Sequence, residues 1–160
     1  FPFYWQDNEP WVLLTQRHSQ LKHHSGQVSF PGGAYENQDK NIRHTALRET
    51  EEEIGVPMNQ VEVLKSLTQL YIPPSNFYVH PFIGVIRELP KFVKEEAEVE
   101  DLIEVSLSHF LDEQNVVTNT VSTSYNVDVE VPAFKLNSHI VWGATAMMLS
   151  EIKDLLKQAL

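Results

Sequence analysis

One stretch constrains this chain more than any other: a short alternating run, Gln27-Val28-Ser29-Phe30, breaks at Pro31-Gly32-Gly33 and is followed by a strongly acidic segment ending at Gly55. Proline removes a ladder donor and the glycines permit unusual backbone angles, so a strand must end there in a tight corner. Beyond the corner, Asn37 or Asp39 can cap a helix, Gly55 stands where a C-cap glycine belongs, and Ile42, Ala46, Leu47, Thr50 and Ile54 share one arc. At 100° per residue, Glu49, Glu52 and Glu53 fall within an arc of roughly 100° beside it. The helix therefore presents a core face and a three-carboxylate face.

Like charges at i,i+3 and i,i+4 cost a few tenths of a kcal/mol per pair on an exposed helix and more where water is excluded. A divalent cation reverses the penalty, and carboxylates on one rigid helix suit Mg²⁺ or Mn²⁺, which combine a few protein oxygens with water and substrate phosphate. Arg48 stands one turn before Glu52 and can orient it. Taken alone, an Arg-Glu-x-x-Glu-Glu run is more often a solvated face. What favours a cation-centred pocket is the corner, whose carbonyls can add an oxygen ligand.

The rest of the chain fits around this unit. Trp11 to Thr15 reads as a buried strand, Gln16 to Ser25 as a loop, and Val61 to Thr68 and Tyr78 to Val85 as further strands. Between the last two, the Pro-rich segment Tyr71 to Asn76 is kept out of regular structure and can shape a pocket. Glu95 to Asp101 reads as an acidic loop, Ser106 to Leu111 as a short helix, Val121 to Phe134 as a hairpin, and Ala144 to Leu160 as an amphipathic helix. Met147 and Met148 read as helix packing. Tyr71, Phe77 and Tyr78 can stack on a base, although aromatics beside strands more often fill core. These elements predict a single α+β domain over 1–160, a mixed sheet clasped between helices.

Composition excludes several classes of function. Of the 160 residues 42% are hydrophobic, enough for a real core, and the net charge of −10 argues against nucleic acid or an anionic membrane as partner. An anionic ligand needs a local cation, and Arg17 and Lys22 are the candidates; the adjacent His23-His24 pair reads as surface. Without cysteine there is no thiolate nucleophile or Cys-based metal site, which fits a cytoplasmic setting. No run approaches the apolar length of a membrane span. The opening Phe1-Pro2-Phe3-Tyr4-Trp5 lacks a basic leader and a starting Met, so an incomplete N-terminus is expected.

Gly33 through Val56 resembles the Nudix box, a glycine followed on the next helix by Arg-Glu-x-x-Glu-Glu-x-Gly-aliphatic. Gly33 to Arg48 is one residue longer than the usual box, Asp39 best matches the intervening acid, and Thr50 replaces a commoner aliphatic. Upstream, Leu13-Leu14-Thr15-x-Arg17, Lys22 and Gly26-x-Val28-x-Phe30-Pro31-Gly32-Gly33 resemble the coenzyme A pyrophosphatase signature, with Lys22 for the usual Arg and His18 for a small residue. Ser75-Asn76 to Gly84, Glu98-Val99 and Val141-Trp142-Gly143 resemble that branch more loosely. The resemblance implies a Nudix fold and metal-assisted hydrolysis of coenzyme A or a derivative to 3′,5′-ADP and 4′-phosphopantetheine. It further implies Glu49, Glu52, Glu53 and the Gly32 carbonyl as ligands of Mg²⁺ or Mn²⁺, with Arg48 supporting them. Glu98 would be the general base, preferred over Glu95, Glu96 and Glu100, and Arg17, Lys22, Phe30 and Gly33 would contact a small-molecule nucleotide. A homodimer is compatible with this reading. The alternatives are a sister hydrolase of ADP-ribose, a dinucleoside polyphosphate or a dinucleotide, and a noncatalytic ligand-binding module, which the intact acidic set disfavours.

Overall fold

The structure is a computed structural model and describes residues 1–21, 26–122 and 128–159. In chain order it runs β1 (Pro2–Gln6), β2 (Glu9–Arg17), β3 (Val28–Ser29), α1 (Ile42–Ile54), β4 (Val61–Ser66), β5 (Leu70–Ile72), β6 (Phe77–Val79) and β7 (Phe82–Ile86). There follow β8 (Val99–Ser106), α2 (Leu107–Leu111), β9 (Val116–Val121), β10 (Val129–Leu136), β11 (His139–Val141) and α3 (Gly143–Ala159). None of these helices is long and apolar enough to cross a membrane.

β2 organises the molecule. It pairs antiparallel with β8 along Trp11 to Arg17 on one edge, and with β1 and β3 on the other. β1 continues the sheet through a parallel pairing with β7, which pairs antiparallel with β4. Because side chains alternate across a strand, Val12 and Leu14 face one side and Leu13 the other. Val12 and Leu14 pack with Ile103, Val105, Phe110 of α2 and Ala146, Leu149 and Ile152 of α3. Leu13 packs with Tyr4, Ile54 at the end of α1, Val56 and Ile86. Helices therefore cover both faces of a mixed sheet, as expected. Two smaller sheets, β9-β10-β11 and β5-β6, complete the molecule.

Several local expectations are corrected. Residues 2–6, read only as an opening segment, form the sheet-bridging strand β1, and β2 extends two residues into the expected loop. Val99 to Asp101, read as acidic loop, begins β8; Val99, Ile103 and Val105 are buried while Glu100, Asp101 and Glu104 stay exposed. Tyr71 and Ile72 pair with Tyr78 and Phe77 in the β5-β6 hairpin, with only Pro73 to Asn76 as its turn. His80 and Pro81 divide the strand expected over Tyr78 to Val85. The later hairpin exists but is shifted, joining β9 to β10. Met147 is 60% exposed, whereas Met148 is buried.

α1 starts later than expected. Neither Asn37 nor Asp39 caps it: Asn41 does, its side chain accepting from the His44 amide at 2.8 Å, which leaves Asp39 free to turn inward. Gly55 closes the helix in the left-handed conformation at φ 76°, as expected. The expected core arc is split, because Thr50 and Ile54 are buried while Ile42, Ala46 and Leu47 line an open cavity.

Candidate active site

Three separate backbone anchors assemble the acidic site. The chain after β7 lies across the end of α1, with the Val93 amide donating to the Ile54 carbonyl and the Glu95 amide to the Glu53 carbonyl, both at 2.9 Å. The next residues turn into β8, and the His18 amide, just past β2, donates to the Glu98 carbonyl at 2.9 Å. Across from them, the corner after β3 meets α1 directly: the Gly32 amide donates to Glu53 Oε2 at 3.1 Å. The Glu49 carboxylate occupies the space that a side chain on Gly33 would need: a Cβ there would lie 2.3 Å from its carboxyl carbon, so the carboxylate would have to move.

These anchors bring one carboxylate oxygen from each of Glu49, Glu53 and Glu98 within 4.8 Å of one another. All three were expected at the site, Glu49 and Glu53 as metal ligands and Glu98 as the general base; Glu53, expected off the core face of the helix, is nonetheless buried at 4% exposure. Burial pushes its carboxyl up to about 8, against the opposing hydrogen bond from Gly32, with Glu49 and Glu98 adding repulsion. Glu49 is raised in the same direction, by burial first and by Glu52 second. A carboxylate cluster of this kind, costly when ionised and lined by hard oxygens, fits a divalent cation.

Glu52 does not join the three. Its half-exposed carboxylate accepts from Arg48 Nη1 at 3.1 and 3.2 Å, the orienting pair expected from their spacing. Arg48 also reaches Glu49 at 3.1 Å and the Ala34 carbonyl at 3.1 Å. Its own position is set by Asp39, which it grips through Nε at 2.7 Å and Nη2 at 3.0 Å. Asp39 is buried, and it further accepts from Thr45 Oγ1 at 2.8 Å and the Glu36 amide at 2.9 Å. The guanidinium holds the Asp39 carboxyl well below the usual range, and Asp39 in turn raises Arg48. Of the two expectations for Asp39, helix cap and intervening acid of the box, only the cap is overturned, because a capping acid and an inward-turned acid look alike in sequence. Nothing in the sequence marks Thr45 as its partner.

Beside the acidic cluster lies a cavity of about 770 Å³. Arg17, Phe30, Gly32 and Gly33 line it near the corner, while Pro74, Phe77 and Tyr78 wall it from the β5-β6 hairpin. Phe77 and Tyr78 are half or more exposed and so do not fill core; Tyr71, also half exposed, packs on Tyr78 with ring centroids 4.9 Å apart. Phe30 packs edge-on against Phe1 at 4.5 Å. Arg17 lies near enough to favour the ionised form of Glu53. Lys22, His23 and His24 lie outside the described residues. Trp142 to Thr145, at the start of α3, also line the cavity, far in sequence from the corner.

Residues 3–121 match the NUDIX domain family. A curated relative from Photorhabdus laumondii, an uncharacterized Nudix hydrolase NudL, is 34% identical over 151 residues, covering 90% of this chain and 76% of its own length. The NudL of Pectobacterium atrosepticum is 37% identical over 150 residues, covering 89% and 73%. The crystal structure of RenU, a Nudix hydrolase from M. smegmatis, superposes with a TM-score of 0.66 over 98% of this chain and 82% of that one, at 15% identity, a likeness of fold. With acids, corner and sheet arranged as they are, the match over most of its length makes this chain a member of the Nudix hydrolases, the family of pyrophosphohydrolases acting on nucleoside diphosphate derivatives.

Proposed function

We propose that this Nudix domain, taken as one unit over its 160 residues, hydrolyses the central diphosphate of coenzyme A or its derivatives, giving 3′,5′-ADP and 4′-phosphopantetheine. The observation that carries the reading is the cavity of about 770 Å³ beside the three carboxylates, floored by the corner that resembles the coenzyme A pyrophosphatase signature and walled by an aromatic, Pro-rich hairpin. A volume of that order suits a cofactor-sized ligand. An apolar wall suits the pantetheine arm, and Arg17 supplies positive charge to the diphosphate in an otherwise acidic chain.

Glu49 and Glu53 hold Mg²⁺ or Mn²⁺ in this reading, with the Gly32 carbonyl as a further donor. When bound, the cation neutralises charge developing on the phosphate oxygens and acidifies water. Glu98 takes the proton from the attacking water as its oxygen bonds to phosphorus, and the anhydride P–O bond breaks with its electron pair leaving on the departing phosphate. Arg48, fixed by Asp39, keeps Glu49 and Glu52 in place, and Glu52 stands as an additional carboxylate for the cation. Lys22 is retained as a phosphate contact, on its charge alone.

The deciding experiment is a turnover panel with Mg²⁺ or Mn²⁺ on coenzyme A, ADP-ribose, a dinucleoside polyphosphate and NADH. Coenzyme A should show the highest kcat/KM. A much higher value for ADP-ribose or a dinucleotide would overturn the substrate reading and leave the family chemistry intact.

A further inference from the structure

The start of α3 forms the wall of the cavity formed by Trp142, Gly143, Ala144 and Thr145. This helix is 17 residues long and carries no acidic side chain in its first turn. Gly143 enters it at φ 71°, and a Cβ there would meet nothing within 4 Å, so the backbone borders open space. Among the described residues, the amides of Ala144 and Thr145 donate no hydrogen bond. Such orphan N–H groups, with the aligned peptide dipoles behind them, form an anion-binding end.

A second observation is independent of the helix end. Thr145 is 8% exposed, yet its hydroxyl has no hydrogen-bond partner among the described residues. Threonines inside helices commonly bond a carbonyl one turn back, as Thr50 does to Ala46 at 2.7 Å. Ala146, Leu149 and Ile152 carry the packing onto the sheet, whereas Thr145 and Met148, three apart on a neighbouring face, line the cavity. The Thr145 hydroxyl is not sealed off in the core, so on a residue that is otherwise buried it opens onto the cavity that Thr145 lines, where a ligand oxygen can partner it.

We infer that the amino end of α3, with the Thr145 hydroxyl and the free first-turn amides, is a second anion subsite of the cavity, and that it takes a phosphomonoester carried by the substrate apart from its diphosphate. The inference rests on the proposed function for the diphosphate end of the cavity and assigns the 3′-phosphate of coenzyme A to the wall made by the start of α3. Trp142, 39% exposed, lies between this cavity and a neighbouring one of about 340 Å³ and borders the subsite with an aromatic surface.

The test is calorimetric titration of the full chain, without metal, with 3′,5′-ADP and with 5′-AMP, which differ by the phosphomonoester. The wild type should prefer 3′,5′-ADP by roughly tenfold or more, the scale of a charge-assisted hydrogen-bond set. Thr145→Val, which keeps shape and loses the hydroxyl, should shrink that preference by several-fold, and Thr145→Ser should restore it; Thr145→Ala serves if the valine variant melts early. Equal binding of both nucleotides by the wild type overturns the subsite, as does a preference that survives Thr145→Val and vanishes in Lys22→Ala. The two readings fail separately. A Thr145-dependent preference without coenzyme A hydrolysis sinks the proposed substrate alone, and hydrolysis of coenzyme A and dephospho-coenzyme A at equal kcat/KM sinks the subsite alone.

Discussion

Glu53 and Glu98, proposed as metal ligand and general base, come near one point from different surroundings. Glu53 is buried and held by a backbone amide, so its carboxyl stays protonated up to about 8 in the metal-free chain. Between the ordinary carboxyl value and about 8 the folded chain keeps a proton that the unfolded chain has released, so metal-free stability should fall as pH rises through that window. Glu53→Gln should remove this slope and raise the metal-free melting temperature at pH 8, while lowering kcat by roughly 10²-fold or more. Chelator-treated thermal melts from pH 5 to 9 read the first effect; a melting curve with the same slope in the mutant would contradict the burial account. Glu98 is more exposed and reaches the cluster from outside the helix. As the base, Glu98→Gln should depress kcat far more than metal affinity and remove the acidic limb of the pH–rate profile. A matching loss of metal affinity would instead make Glu98 a ligand.

The corner and helix α1 work as one device, because Gly33 leaves only enough room for the Glu49 carboxylate. Gly33→Ala should push that carboxylate aside without disturbing the sheet, so metal affinity should drop about tenfold with a melting temperature close to wild type; unchanged affinity would show that Glu49 is not held there. Much of this device is legible in sequence. The 3.6-residue period gives α1 and its acids, and Gly55 ends the helix where its freedom at positive φ is needed. Other elements are hidden for physical reasons. The acids of β8 occupy its exposed positions, so composition resembles a loop even though Val99, Ile103 and Val105 alternate into the core. Asp39 sits where a cap is expected, and only tertiary contact with Arg48 turns it inward. β1 depends on the pairing of Phe3 with the distant Val85, and the cavity brings the α3 start and the corner, far apart in sequence, to one lining; no local pattern encodes either.

At the scale of the whole molecule, a chain of net charge −10 concentrates three carboxylates where β2, β8, the corner and α1 converge. Without a cation, folding must bring these acids together against burial and repulsion, and Glu53 and Glu49 are both raised in response. A cation that binds only the folded arrangement stabilises it by mass action, and it must displace the proton on Glu53 to do so. Millimolar Mg²⁺ or Mn²⁺ should therefore raise the melting temperature, with a larger rise at pH 8.5 than at pH 6. Removing one of the carboxylates by Glu49→Gln should cut the rise to roughly half or less, whereas Glu52→Gln, whose carboxylate pairs with Arg48 outside the three, should cut it less. Differential scanning fluorimetry at the two pH values, with and without metal, measures all of these shifts. An equal rise in wild type and Glu49→Gln, or one that does not grow with pH, would mean that the cation binds elsewhere and that the convergence of strands, corner and helix is not a metal centre.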